Sequence, residues 1–300
     1  MNYPPTLKQL KYLISLHRHM HFGKAAEDCH VSQSTLSSGI QELEALLGVK
    51  LVERTKRNVM FTPLGLEIVR RARHILNQVM DLTTLASRAK APLTGPMSLG
   101  IIPTIAPFLL PTIMPALRDA FPNLELELIE AKSADLCQKL RAGELDLILY
   151  ALPYACGPVE EMFLFKDPFV AIFPEDQTVE NKMSLDDLRG QSVLLLDEGH
   201  CLRDHALSAC QIVEQDETSR ALAGTSLYTI VQMVASGFGM SLLPQMSVEA
   251  GILKGTPIQQ VPFDDPVPSR DIGLVWRDSD PRAADFKKIG DVIIGAVDGK

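Results

Sequence analysis

An α/β chain carrying a small basic helical head is the fold this sequence predicts, and three observations carry the prediction. Charge is divided: residues 1–90 hold thirteen Lys/Arg against seven Asp/Glu, while residues 91–300 hold sixteen against thirty. Apolar residues in the first ninety positions recur at threes and fours, the helical period. Beyond residue 96, strand-like and helix-like stretches alternate, as in an α/β body with mainly parallel sheets. The net charge of −8 alone argues against a polyanionic partner, but a basic module on an acidic body reverses that inference.

In the head, Leu7, Leu10, Leu13 and Ile14 set a first helix over Leu7–Leu16. A second runs from Phe22 to Cys29, with Ala25 and Ala26 small enough for close helix approach. Ser32 is a good N-cap for a third, Gln33 to Leu47, whose buried stripe is Ile40, Leu43, Leu46 and Leu47. Gln33, Ser34, Thr35, Ser37, Ser38 and Gln41 are left as short polar groups near its N-terminal half. Two short helices joined tightly, the second with polar side chains outward, predict a helix-turn-helix able to read a major groove. The stretch 51–62 has apolar flanks around a basic tip and predicts a hairpin wing, with Arg54, Lys56 and Arg57 set to neutralise phosphates. Solvated arginines and a capped core helix are the plain alternative.

Pro63 sits where a helix can start. The narrow stripe Leu64, Ile68, Val69, Ala72, Ile75, Leu76, Val79, Leu82 and Leu85 then predicts a long helix with a dimer seam. Pro and Gly in 92–96 read as a hinge. The predicted domains are 1–62 (winged helix-turn-helix), 63–91 (linker helix), 92–96 (hinge) and 97–300 (regulatory body). Strands are predicted at Met97–Ile102, Leu124–Glu130, Leu145–Ala151, Phe169–Phe173, Val193–Asp197, Met240–Leu243 and Ile272–Trp276. Helices are predicted at Phe108–Ala120, Ala134–Ala142, Ser226–Ala235 and Pro281–Ile294. About 200 residues suffice for two sub-domains flanking a ligand cleft. No nucleotide-binding glycine loop, metalloprotease helix or serine-hydrolase elbow is present, so neither enzyme chemistry nor a cofactor is expected.

No apolar run reaches the roughly 18 residues of a membrane span, and the first residues carry no secretory signal. A cytoplasmic location is therefore expected, where a cysteine pair is more often catalytic, sensory or metal-binding than a standing disulfide. Of the five cysteines, Cys29 falls at a core-like position, and Cys137 and Cys156 have no evident partner. Cys201 and Cys210 stand out. Arg203, and His200 and His205 if protonated, could stabilise a Cys201 thiolate, the reactive form. In an unbroken helix the two Cα atoms would lie roughly 13 Å apart, whereas a disulfide needs about 7 Å or less. Bridging them requires the segment to refold. Zinc binding by His200, Cys201, His205 and Cys210 is the competing chemistry, on an irregular spacing.

The motifs Phe22-Gly23-Lys24-Ala25-Ala26, Val31 to Ser37, Leu51 to Arg54, Phe61 to Gly65 and Gly237 to Pro244 resemble the LysR-type transcriptional regulators over the whole chain. Gly199 to Asp204 followed by Cys210, together with Gly100 to Thr104, is similar to the peroxide-sensing OxyR-type branch. The resemblance implies two sub-domains of periplasmic-binding-protein type, about 97–164 with 269–300, and about 165–268. It implies that Cys201 is oxidised to sulfenic acid and resolved by Cys210. Thr104 and Ser133 match hydroxyls that hold peroxide or an attendant water, and His200, Arg203 and Asp204 match the surrounding polar shell. The implied partners are double-stranded promoter DNA, hydrogen peroxide, cellular dithiol reductants, RNA polymerase and further copies in a homodimer or homotetramer, with no membrane. A regulator answering a small-molecule effector in the cleft is the alternative. Ser34 replaces a common proline, Ser133 a more usual threonine, and Ser219–Ala223 lacks a histidine of some relatives.

Overall fold

The structure is a computed structural model that describes residues 4–54, 59–88, 92–189, 191–197, 199–209 and 224–299. It forms two compact units, residues 1–90 and 91–300.

The first unit packs α1 (Leu7–His19), α2 (Phe22–Asp28) and α3 (Gln33–Leu47) around Leu13, Leu16, Leu36, Ile40 and Leu43. Full burial of each such side chain contributes about 1.5–3 kcal/mol. Leu7 remains exposed, and Tyr12 and Leu16 complete the α1 face instead. Thr6 and Gln9 close a reciprocal capping box at the start of α1. The Ser32 hydroxyl accepts from the Thr35 amide at 3.1 Å, so α3 begins where its sequence cap predicts. Strands β1 (Val52–Arg54) and β2 (Val59–Phe61) form an antiparallel wing. Buried Glu44 ties α3 to its root, accepting from the Leu51 amide at 2.9 Å and the Val52 amide at 3.1 Å, with Lys50 at 2.7 Å. The wing tip, with Lys56 and Arg57, lies outside the described residues. Helix α4 (Pro63–Arg88) packs Val69 and Ala72 inward, while Ile75 and Leu82 are exposed.

The body is a mixed sheet flanked by helices. Strands β3 (Gly95–Ile101), β4 (Leu124–Glu130) and β5 (Leu147–Leu152) alternate with α5 (Ala106–Ala120) and α6 (Ser133–Ala142). The sixteen-residue β6 (Val159–Pro174) then leads to β7 (Val193–Leu194) and α7 (Cys201–Ala209). After these come α8 (Leu227–Ala235), β8 (Met240–Pro244), α9 (Gln245–Glu249), β9 (Ile258–Val261), β10 (Ser269–Arg277) and α10 (Ala283–Asp298). The strand order is β4-β3-β5-β10-β6-β8-β7, with β9 also on β6. Two buried clusters fill it. One is built on β3, β5, β10, α5, α6 and α10, the other on the end of β6 with β8, α8 and Phe263.

The expected mainly parallel sheet is corrected. β3–β4, β3–β5 and β7–β8 are parallel, but β10–β5, β10–β6, β6–β8 and β6–β9 are antiparallel. The chain passes between the two clusters along β6 and returns along β10. Two strands lying side by side in opposite directions need no crossover helix. Alternation of elements along the sequence does not register so distant a return.

Candidate functional site

Gly199 turns the chain at φ +90°, a left-handed conformation open to glycine, and delivers Cys201 as the first residue of α7. The helix is a peg between the two cores. Cys201 lies in the β3–β5–β10 cluster, whereas Leu202 and Ala206 lie in the other. Cys201 is a free thiol, 3% exposed.

Burial is the largest influence on this thiol and pushes its pKa up; the Ser133 hydroxyl, the Arg270 guanidinium and the Ala151 amide oppose it. Ser133, the first residue of α6, is buried, and its Oγ closes no full hydrogen bond while lying near enough to favour the thiolate. Asp204 is exposed, and its charge works against the thiolate. The two imidazoles, which could assist only if protonated, are held from protonation by their surroundings. Burial lowers the pKa of His200, helped by Lys132, and burial likewise lowers that of His205. His205 Nε2 donates to the Pro153 carbonyl at 3.3 Å, leaving Nδ1 buried without a partner. Arg203 donates from Nη1 to the Leu196 carbonyl at 3.2 Å.

The cation that favours the thiolate is Arg270, which sequence reasoning missed because it lies 69 positions downstream. Its cross-strand neighbour on β6 is Asp167. Arg270 Nε donates to Asp167 Oδ2 at 2.9 Å, Nη1 to Thr104 Oγ1 at 2.9 Å and Nη2 to the Thr104 carbonyl at 3.0 Å. The Met246 amide donates to Asp167 Oδ1 at 3.1 Å. The guanidinium is fully buried and the carboxylate 2% exposed. The planar guanidinium, with donors fixed in a fork, holds carboxylate, hydroxyl and carbonyl together. Because Thr104 Oγ1 already accepts from Arg270, its own hydrogen is free for another acceptor. No local signal in the sequence marks Arg270, since its pairing with Asp167 arises only where β10 lies beside β6.

Residues 7–66 match the family description "Bacterial regulatory helix-turn-helix protein, lysR family", and residues 90–295 match "LysR substrate binding domain". The chain belongs to the LysR family. It is 42% identical over 290 residues to the HTH-type transcriptional regulator EstR of Acinetobacter baylyi, covering 96% of each. It is 40% identical over 295 residues to the DNA-binding transcriptional dual regulator OxyR of Escherichia coli K12, covering 98% of this chain and 96% of that one. Among solved structures it resembles a full-length OxyR variant from Pseudomonas aeruginosa, with 39% identity, TM-score 0.79, and 97% and 95% coverage. A cysteine variant of OxyR from Corynebacterium glutamicum with hydrogen peroxide bound matches at 31% identity and TM-score 0.66, covering 100% and 94%. The chain is an OxyR-like LysR-type DNA-binding regulator.

In this LysR-type head, Gln33, Ser34, Thr35, Ser38 and Gln41 of α3 are exposed and Ser37 is half-buried. The Ser34 and Thr35 hydroxyls each lie 2.8 Å from that of Ser32, gathered at the helix start. Arg54 ends β1, paired with Val59. Cys210 and Ser219–Ala223 lie outside the described residues. α7 is helical through Ala209, so the premise of the spacing argument holds up to the residue before Cys210. Cys29 is buried in the head core. One further expectation is corrected: Cys137 and Cys156 do have partners, each other, in a disulfide with Cα atoms 5.3 Å apart. They lie nineteen positions apart, and the turn from β5 folds the later cysteine back onto α6.

Proposed function

We propose that this OxyR-like regulator senses hydrogen peroxide through Cys201, and that oxidation alters how it holds promoter DNA. The observation that carries this reading is the Cys201 thiol, free at the start of α7 and seated among Ser133, the Ala151 amide and Arg270. The thiolate attacks one peroxide oxygen; the O–O bond breaks, and the second oxygen takes a proton and leaves as water. Thr104, its hydroxyl oxygen fixed by Arg270, directs its hydrogen toward the leaving oxygen. Cys210 then attacks the sulfenic sulfur, the S–O bond breaks and a second water leaves. His200 and Arg203 hold the approach to the thiol.

An intact helix from Cys201 to Ala209 cannot accommodate a bridge to Cys210, so disulfide formation unwinds α7. Leu202 and Ala206 leave one core and Cys201 the other. The cytoplasmic regulator, a homodimer or homotetramer built through α4 and the body, translates this into altered spacing of two heads. Gln33, Ser34, Thr35, Ser37, Ser38 and Gln41 read bases, and Arg54, Lys56 and Arg57 contact phosphates. RNA polymerase is the downstream partner, and dithiols restore the reduced state. Peroxide is consumed once per switching event, which is regulation and not turnover.

Peptide mapping of the native protein after one equivalent of peroxide tests this reading. A Cys201–Cys210 linkage is expected; its absence, with Cys201 unmodified, removes peroxide sensing. The match of residues 90–295 to the LysR substrate binding domain favours a second reading, a small-molecule effector in the body. That reading requires a footprint indifferent to peroxide.

A further inference from the structure

The disulfide between Cys137 and Cys156 joins the two elements that wall the reactive thiol. Cys137 lies four residues beyond Ser133 on α6, one turn along the same face. Cys156 closes the loop that follows β5, the strand whose Ala151 amide faces Cys201. Pro153, three residues before Cys156, accepts from His205 of α7. The bridge therefore bolts together the strand, helix and loop from which α7 must part when it unwinds.

Its surroundings point to a bond that opens. Both cysteines are buried, yet Ala155, Gly157 and Pro158 on either side of Cys156 are exposed, so the loop that carries Cys156 lies at the surface. Arg141, one turn beyond Cys137, donates from Nε to the Cys137 carbonyl at 3.3 Å, and its Cδ would lie 3.3 Å from any Cβ added at Gly157. The Arg141 side chain thus lies against the backbone of both halves of the bridge, a cationic residue at the couple. A DNA-bound regulator works where dithiols keep thiols reduced, a setting in which disulfides are transient and regulatory.

We propose that Cys137 and Cys156 are a second reversible thiol–disulfide couple, and that the bridged state holds α7 docked and restrains release of Cys201. In the reducing direction, a dithiol thiolate attacks one sulfur and the S–S bond breaks. The other cysteine leaves as a thiolate and is protonated, and the second dithiol sulfur displaces the first cysteine to give a cyclic disulfide. In the oxidising direction, one cysteine attacks hydrogen peroxide and releases water. The other attacks the resulting sulfenic sulfur and releases a second water. The couple sets a threshold on the sensor, tight after earlier oxidant exposure and loose in a fully reduced cell. It rests on the peroxide-sensing reading only for the oxidant named and for the meaning of α7 release.

The test uses full-length Cys210→Ser protein, so that Cys201 stays a free thiol. Equilibration of the folded protein in dithiothreitol buffers, acid quenching and peptide mapping report the state of Cys137 and Cys156. The native rate of Cys201 alkylation by iodoacetamide reports release of α7. The two cysteines are expected to pass together between bridged and free, with Cys201 labelled about tenfold faster when they are free. Adding Cys137→Ala and Cys156→Ala is expected to reproduce the fast rate without any reductant. A bridge that dithiothreitol leaves intact in the folded protein, or equal labelling rates in the two states, overturns the proposal. Neither readout uses peroxide. If Cys201 is inert to peroxide while the labelling rates still differ, the coupling stands and the sensing reading falls.

Discussion

Arg270 donates from Nη1 to the Thr104 hydroxyl oxygen across 2.9 Å, from a side chain that is itself completely buried. This one contact orients a hydroxyl hydrogen and places a cation near the Cys201 thiol. Arg270→Lys keeps the charge but loses the fork that also holds Asp167. Cys201 oxidation by peroxide is expected to slow by about a hundredfold. Leaving a buried carboxylate underpartnered is expected to cost up to about 3–5 kcal/mol. Stopped-flow peroxide kinetics and chemical denaturation read the two effects separately.

Ser133→Ala separates chemistry from stability. The Ser133 Oγ closes no full hydrogen bond, so its removal orphans no other group. Stability is expected to change by less than about 1 kcal/mol. The Cys201 pKa, already raised by burial, is expected to rise further, because one of the groups favouring the thiolate is gone. A thiol titration by pH-dependent alkylation, beside a thermal melt, checks both statements.

Acid and alkali loosen α7 for opposite reasons. Burial lowers the pKa of His205 below its ordinary 6.5, so the docked helix holds a neutral imidazole. Its contribution to docking is complete above that value and is lost as pH falls, because the released state takes up the proton first. The raised pKa of Cys201 acts the other way: its contribution is present below the ordinary thiol range and is lost as pH rises through the folded value. The attack on peroxide quickens over the same rise, since the thiolate fraction grows about tenfold per pH unit below the pKa. Hydrogen exchange of residues 201–209 between pH 5.5 and 9.5 is expected to show slowest opening between the two limits. His205→Gln is expected to weaken the acid limb, leaving the share that buried His200 contributes.

Glu44→Ala tests the head alone. It leaves the Leu51 and Val52 amides without their acceptor, at about 1–3 kcal/mol for each buried donor. The wing root is expected to loosen, and DNA affinity in a gel-shift assay to fall by tenfold or more. The rate of Cys201 oxidation is expected to be unchanged, because Glu44 belongs to the other compact unit.

Local signals in the sequence were informative wherever an element declared itself in one stretch. Ser32 capping α3 and Leu124–Glu130 as a strand are visible in neighbouring letters. What the sequence concealed was pairing at a distance. Arg270 meets Asp167 and Thr104 only because β10 returns beside β6, and the same return makes the sheet mixed. Val159–Asp167 alternates too weakly in polarity to read as half of a long strand. The Cys137–Cys156 bridge depends on the loop after β5 turning back onto α6. His200 and His205 could favour a Cys201 thiolate only if protonated, and the burial that lowers the pKa of both is not visible in the sequence.

DNA footprinting with full-length protein, fully reduced or treated with peroxide, beside Cys201→Ser under both conditions, tests the sensing claim most directly. The account predicts two distinct footprints for the unsubstituted protein, and one for Cys201→Ser that matches the reduced pattern whether or not peroxide is present. An unsubstituted protein with the same footprint in both states, or a peroxide response that survives in Cys201→Ser, would contradict it.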